Sequence, residues 1–233
     1  MAVDGMTGFR RFGMYVVPEG GFYEAGAAWL GWDSRRGLEA RQPEVAGLPA
    51  EPRSLTATPR KYGFHGTVKP PFRLAEGTDV DALDAAARAF CDERAPVAVP
   101  ALAVRRLGGF VAIVPVEPCP GLSELAGATV AALDPFRAPP TEDELARRRK
   151  SGLSARQDAL LLQWGYPYVM EEFRFHLTLT GKLDRDAAEQ AREALTRHFA
   201  PILPKPFLVD SLCLMGEDDA GMFHLLQSYT LSG

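Results

Sequence analysis

Two segments of the chain carry the pattern His-x-Thr: Lys61-Tyr62-Gly63-Phe64-His65-Gly66-Thr67-Val68-Lys69 and Arg174-Phe175-His176-Leu177-Thr178-Leu179-Thr180-Gly181. Both read as extended runs, in which side chains alternate between the two faces of a sheet. Arg174, His176, Thr178 and Thr180 then share one side, and Phe175, Leu177 and Leu179 the other. In the first copy Lys61, His65, Thr67 and Lys69 stand together, opposite Phe64 and Val68. Each strand therefore has an apolar side for a core and a side bearing imidazole, hydroxyl and cation. An unperturbed imidazole titrates at about 6.5, so two of them across a cleft can act as base and acid near neutral pH. Threonine hydroxyls and cations suit the non-bridging oxygens of a phosphate, where charge accumulates in the transition state. The pattern points to cleavage of a phosphodiester by paired imidazoles. One His-x-Thr alone is a weak signal; two, on matching strands with basic neighbours, are a specific one.

Other chemistries find little support. The remaining histidines, His198 and His224, fall in an expected helix end and a C-terminal strand, without an H-E-x-x-H or a carboxylate cluster. No metal is expected. His198 is explained by the favourable end of a helix dipole, and His224 is read as a strand residue. The glycines at 8, 13, 20 and 21 form no phosphate-cradling loop or nucleophile elbow, so no nucleotide cofactor is expected. Cys91, Cys119 and Cys213 are odd in number and lack a C-x-x-C, which argues for buried free thiols in a reducing compartment. Residues 1–10 contain no apolar leader, and no apolar run approaches a membrane span. A cytoplasmic protein with no membrane partner, and a monomer, is the expectation. A net charge of −4 and a pI near 5.6 argue against a broad nucleic-acid surface.

The elements that must hold the two segments follow in order. A strand at 13–17 and a helix at 22–32 precede a long loop at 34–60, a candidate lid. Trp29 and Trp32 are expected to pack on the sheet. Pro70-Pro71 is expected to end the first His-x-Thr strand. A helix at 79–94 follows, then strands at 97–107 and 110–116 split by Gly108-Gly109, and a helix at 121–133. After the break at 134–140 come helices at 141–150, with a Thr141–Glu144 capping box, and at 155–164, capped by Ser154. The basic run 147–150 reads as a solvated helix end. The second His-x-Thr strand, a helix at 184–199, and strands at 207–215 and 222–231 complete the chain. The order strand, helix, His-x-Thr strand, helix, strand thus occurs twice, with a helical insertion at about 135–165 in the second copy. The expected fold is α+β: a single bilobal domain over 1–233, of two pseudo-symmetric lobes. Each lobe is a mainly antiparallel sheet with helices on its outer face, around a central cleft.

The longer strings RKYGFHGTVKPPFRL (60–74), LGGF (107–110), DPFRAP (134–139), WGYPYV (164–169) and FRFHLTLTG (173–181) resemble a branch of the 2H phosphoesterase superfamily associated with bacterial phosphonate utilisation. The resemblance spans most of the chain. It implies acid/base roles for His65 and His176 and phosphate binding by Thr67 and Thr178. Supporting residues would be Lys61, Tyr62, Lys69, Arg137, Tyr168 and Arg174. The substrate implied is a small cyclic phosphate ester, with 5-phosphoribosyl 1,2-cyclic phosphate as a candidate. Alternatives are an RNA-terminal or nucleoside 2′,3′-cyclic phosphodiesterase, or a binding module that does not turn over.

Overall fold

The computed structural model describes residues 8–233. The reading of residues 1–10 as lacking a leader falls largely outside them. The elements are, in order, β1 (Arg11–Val16), α1 (Gly20–Leu30), β2 (Trp32–Asp33), β3 (Leu38–Glu39), α2 (Pro52–Leu55), β4 (Gly66–Phe72), α3 (Val80–Asp92), β5 (Val97–Val99), β6 (Leu102–Leu107), β7 (Phe110–Pro115), α4 (Pro120–Ala132), α5 (Glu142–Arg149), α6 (Ala155–Trp164), β8 (Leu177–Thr178), α7 (Arg185–Phe199), β9 (Phe207–Val209), β10 (Ser211–Glu217) and β11 (Phe223–Thr230). The fold is α+β, as its order of elements implies. Helix starts follow local chemistry: Asp79 and Asp184 accept from the backbone N–H groups of Ala82 and Ala187. Thr141–Glu144 and Ser154–Gln157 form complete capping boxes on α5 and α6.

Seven strands make one antiparallel sheet in the order β11-β10-β1-β4-β8-β7-β6. Its halves meet at its middle, where a single pair, Gly66↔Leu177, joins β4 to β8. The internal repeat maps onto this order, with β1 corresponding to β7, β4 to β8 and β6 to β10. The two copies exchange their last strands. β6, from the first copy, pairs with β7 of the second; β10, from the second, pairs with β1 of the first. Helices α3 and α7 travel with the exchange, α3 packing on β10 and β11 and α7 on β6 and β7. A short ribbon, β5 with β9, ties together the two segments that cross over.

The core lies on the side of the sheet to which Phe64, Leu177 and Leu179 turn, all 0 % exposed. Trp29 of α1 is also fully buried and donates its Nε1–H to the Leu179 carbonyl at 2.8 Å. Trp32 donates to the Phe223 carbonyl at 2.9 Å. Burying the indoles while pairing their N–H groups makes them packing residues.

Several local expectations change. The first His-x-Thr segment is not extended throughout: 60–62 is a 3-10 turn, and β4 runs from Gly66 through Pro70-Pro71 to Phe72. Register shifts against β1 between Phe12 and Tyr15 accommodate prolines that have no N–H to give. The second segment has regular strand pairing over two residues only. Its later N–H groups stay bonded, those of Leu179 and Thr180 to the Val111 carbonyl and that of Gly181 to the Leu55 carbonyl. The strand expected at 97–107 breaks into β5 and β6 around Pro100, and 34–60 holds β2, β3 and α2 where a plain loop was expected. Among the described residues no helix is long and apolar enough to cross a membrane. Cys91 and Cys213 are buried and free; Cys119 is free and only partly buried.

Candidate active site

The antiparallel pair Gly66↔Leu177 fixes how the two motifs meet. Carried one residue each way, its register sets His65 opposite Thr178 and Thr67 opposite His176. Directly opposed residues stand within about 5.5 Å at Cβ and on one face, so two imidazoles and two hydroxyls form a square. All four are partly exposed, whereas Phe64, Gly66, Phe175 and Leu177 are buried. Gly66 allows this close approach: a Cβ there would lie 2.4 Å from the Phe175 ring.

Each ring is held by the backbone two residues before it. His65 Nδ1 lies 2.9 Å from the Gly63 carbonyl, and His176 Nδ1 lies 2.7 Å from the Arg174 carbonyl. A carbonyl only accepts, so Nδ1 carries the proton in both and Nε2 is left for chemistry. Gly63 turns its carbonyl to this task from φ +74°, where a side chain would be strained and would strike Ser34. The Thr67 hydroxyl donates to His65 Nε2 at 3.0 Å. Tyr15, fully buried, stacks on the His65 ring at 3.9 Å between centroids. Burial, opposed by the Gly63 hydrogen bond and reinforced by nearby His176, pushes the His65 pKa down to about 4. His65 is thus a neutral imidazole at neutral pH. A cavity of about 280 Å3 opens beside it, lined by Tyr62, Gly63, His65, Phe110, Thr178 and Lys182 among others. His176 flanks Phe110, with ring centroids 5.7 Å apart.

The six supporting residues scatter. Tyr62 lines the cavity, its ring 6.0 Å from that of His65; the 3-10 turn removes the alternation that would have sent it to the apolar side. Lys61 lies over the Tyr62 ring, 4.8 Å from its centroid. Arg174 donates to the Glu171 and Phe173 carbonyls and lines a different, apolar groove. Tyr168 is 42 % exposed and packs edge-on against Tyr166. Arg137 holds Asp134 through two hydrogen bonds and lines a second, basic groove.

Lys69 does not reach the cleft. The register shift in β4 turns it inward, 2 % exposed, to donate to the Val130 carbonyl at 3.0 Å and to Asp134 at 3.4 Å. Burial lowers its pKa to about 8 despite Asp134. The unfolded chain then binds this proton between about pH 8 and 10.5 while the folded chain does not, so Lys69 adds stability as pH rises through that window. In urea unfolding at pH 7.5 and pH 10, Lys69→Met should lose ground to wild type at the higher pH, by at most about 3 kcal/mol. A gap independent of pH would show the ammonium to be hydrated.

Of the other histidines, neither lines the cavity. His198 sits in the last turn of α7, but burial lowers its pKa, against the direction of the dipole. His224 Nε2 meets Asp218 at 2.8 Å. No group of three His, Cys, Asp or Glu side chains among the described residues could hold a metal ion. Sequence reasoning missed Tyr15, which sits in an apolar run with nothing to single it out. It also gave no role to Phe110 and Lys182, although the first closes the LGGF string and the second follows Gly181 directly.

Residues 67–224 match DUF1045, described as a protein of unknown function. The chain belongs to that family. The DUF1045 match takes in Thr67, His176 and Thr178 and begins two residues past His65. One similar protein is named ribose 1,5-bisphosphate phosphokinase PhnN, from Janthinobacterium sp. (strain Marseille). It is 40 % identical over 218 residues, which are 91 % of this chain and 48 % of that protein. A protein of the same name from Laribacter hongkongensis (strain HLHK9) is 35 % identical over 213 residues, 91 % of this chain and 49 % of that protein. The chain therefore spans about half the length of the curated relatives it matches. Among solved structures, E. coli LigT complexed with NADP+ aligns over 97 % of this chain and all of that one. The alignment has a TM-score of 0.44 and 16 % identity.

Proposed function

We propose that this DUF1045 protein is a cytoplasmic, metal-independent phosphodiesterase that opens a small cyclic phosphate ester. The observation that carries the reading is the square of His65, Thr178, Thr67 and His176, with both Nδ1 protons held by backbone carbonyls. His65, neutral at physiological pH, is the base: its Nε2 takes a proton from water as the water oxygen attacks phosphorus. His176, entering the step with both ring nitrogens protonated, is the acid: it gives its Nε2 proton to the departing sugar oxygen as the P–O bond breaks and keeps the Nδ1 proton on the Arg174 carbonyl. Thr67 turns its hydroxyl from His65 to a non-bridging oxygen, and Thr178 does the same from across the cleft. The incoming phosphate anion itself raises the proton affinity of His65, since a nearby negative charge favours imidazolium.

The substrate reading draws on the relatives' name. Opening 5-phosphoribosyl 1,2-cyclic phosphate at the P–O2 bond yields ribose 1,5-bisphosphate, the compound on which a ribose 1,5-bisphosphate phosphokinase is named to act. A chain that matches about half of such a protein fits the step that supplies its substrate. Three free thiols agree with a reducing compartment.

The test is a panel of 1,2- and 2,3-cyclic sugar phosphates and nucleoside 2′,3′-cyclic phosphates, incubated with the protein and EDTA and followed by 31P NMR. Ring opening of the 5-phosphoribosyl 1,2-ester to the 1,5-bisphosphate is expected. Preference for the nucleoside esters would move the function to RNA ends, and no turnover of any ester would remove the enzyme reading. A second expectation concerns pH. The protein needs neutral His65, so the acid limb of kcat/KM should lie near pH 4 rather than near the ordinary imidazole value. An acid limb at 6 or above would take the base role from His65. The same shift means that the unfolded chain takes up a proton between about pH 6.5 and 4 before the folded one does, so stability falls as pH drops through that window.

A further inference from the structure

Five arginines, Arg11, Arg73, Arg137, Arg147 and Arg148, and one carboxylate, Glu144, line a groove at the end of α5. In a chain of net charge −4 this is a local excess of cation. Three of the arginines are already matched: Arg11 by Glu217, Arg73 by Glu144 and Arg137 by Asp134. Arg147 and Arg148 have no carboxylate partner among the described residues, whereas the neighbouring Arg149 pairs with Asp158. Arg148 is also not the solvated helix end that the sequence suggests. It folds over the Tyr166 ring, 4.6 Å from the centroid, and is partly buried there.

The groove adjoins the histidine cleft. The Phe223 ring lies 5.0 Å from Tyr62, which lines the cleft, 6.0 Å from Tyr15, which stacks on His65, and 6.0 Å from the guanidinium of Arg11, which lines the groove. One aromatic ring separates the two. An independent sign of a missing partner lies at this junction. The Tyr15 hydroxyl is fully buried and has no hydrogen-bond partner among the described residues, a state that costs about 1–3 kcal/mol unless an acceptor arrives.

We infer that the groove binds a second, non-reacting phosphomonoester of the substrate, with Arg148 as its main contact and the Tyr15 hydroxyl as a donor at its inner end. The guanidinium fork suits a phosphate dianion, and stacking on Tyr166 holds it ready. Substrates bearing such a group would be placed with their cyclic ester over His65 and His176. This assignment rests on the phosphodiesterase reading only for which ester reacts, not for whether the groove takes an anion.

The test therefore begins with binding. Ribose 5-phosphate, which has no ester to cleave, is titrated calorimetrically into wild type, Arg148→Gln, Arg148→Lys, Tyr15→Phe and His176→Ala. Arg148→Gln should weaken binding at least ~10-fold, Arg148→Lys less, and Tyr15→Phe at least ~3-fold, while His176→Ala binds as wild type. In kinetics, Arg148→Gln should raise KM for the 5-phosphorylated cyclic ester ~10-fold with kcat within ~3-fold, and leave the ester lacking the 5-phosphate unaffected. No binding to wild type, equal binding by Arg148→Gln, or loss in His176→Ala instead would overturn the subsite. Binding that follows the expected pattern without turnover of any ester would overturn the phosphodiesterase reading and leave the subsite standing.

Discussion

Alanine at either His65 or His176 is expected to lower kcat/KM on the preferred cyclic ester at least ~100-fold, with EDTA present throughout. General acid or base catalysis by one side chain is worth roughly 10²- to 10⁴-fold, and each imidazole has a distinct proton to move. The double variant should fall little further than the worse single one, because base and acid act in the same transition state and their effects do not add. His65→Ala also removes a ring stacked on Tyr15 at 3.9 Å, so some loss of stability, on the order of 1 kcal/mol, should accompany it. His176 makes only a tilted ring contact with Phe110 among the described residues, and its alanine variant should melt close to wild type. Retention of activity within ~10-fold by either variant would rule out paired catalysis. Thr178→Val should cost less, since a hydroxyl that binds phosphate contributes a hydrogen bond and no proton.

Gly66→Ala is expected to damage stability and activity together. The added methyl would meet Phe175 Cε2 at 2.4 Å and Cζ at 2.5 Å. Phe175 is 6 % exposed and packs against Phe207, so its ring cannot withdraw without opening the core. Overpacking of this kind costs typically about 1–3 kcal/mol. Gly66 also makes the one described pair between β4 and β8, so strain there changes the distance between the two His-x-Thr motifs. Urea unfolding should give a lower midpoint, and kcat/KM should fall more than ~10-fold. Gly66→Ala combined with Phe175→Leu should recover part of the stability. If Gly66→Ala unfolds at the wild-type midpoint, the contact between Gly66 and Phe175 at the sheet junction is not a tight one.

Much of this architecture was legible beforehand, for identifiable reasons. Alternation around His65 and His176 separated core from cleft because one face of each segment is apolar. The starts of α5 and α6 followed from Thr141 and Ser154, whose side chains cap locally. The repeat was visible because each copy has the same order of elements. Local rules failed where distant contacts decide. Lys69 shares its parity with His65 and Thr67, yet register shifts against β1 turn it under Asp134. Arg137 and Arg174 lie in strings shared with the resembled family, but Asp134 and backbone carbonyls hold their guanidinium groups away from the cleft. The basic run at 147–150 looked solvated because nothing local shows Tyr166 beneath Arg148.

By itself, then, the sequence determined which residues could do chemistry, which face the residues from Phe64 to Val68 and from Phe175 to Leu179 take, and that two similar halves exist. These are properties of side-chain type and period, and neighbours along the chain suffice to set them. Only the tertiary structure decided that the halves trade their last strands, that His65 stands opposite Thr178 and Thr67 opposite His176, and that Tyr15 lies on the His65 ring. Strand pairing and register join residues over a hundred positions apart. Their choice depends on which apolar faces can be buried at once, a condition on the whole chain and not on any stretch of it.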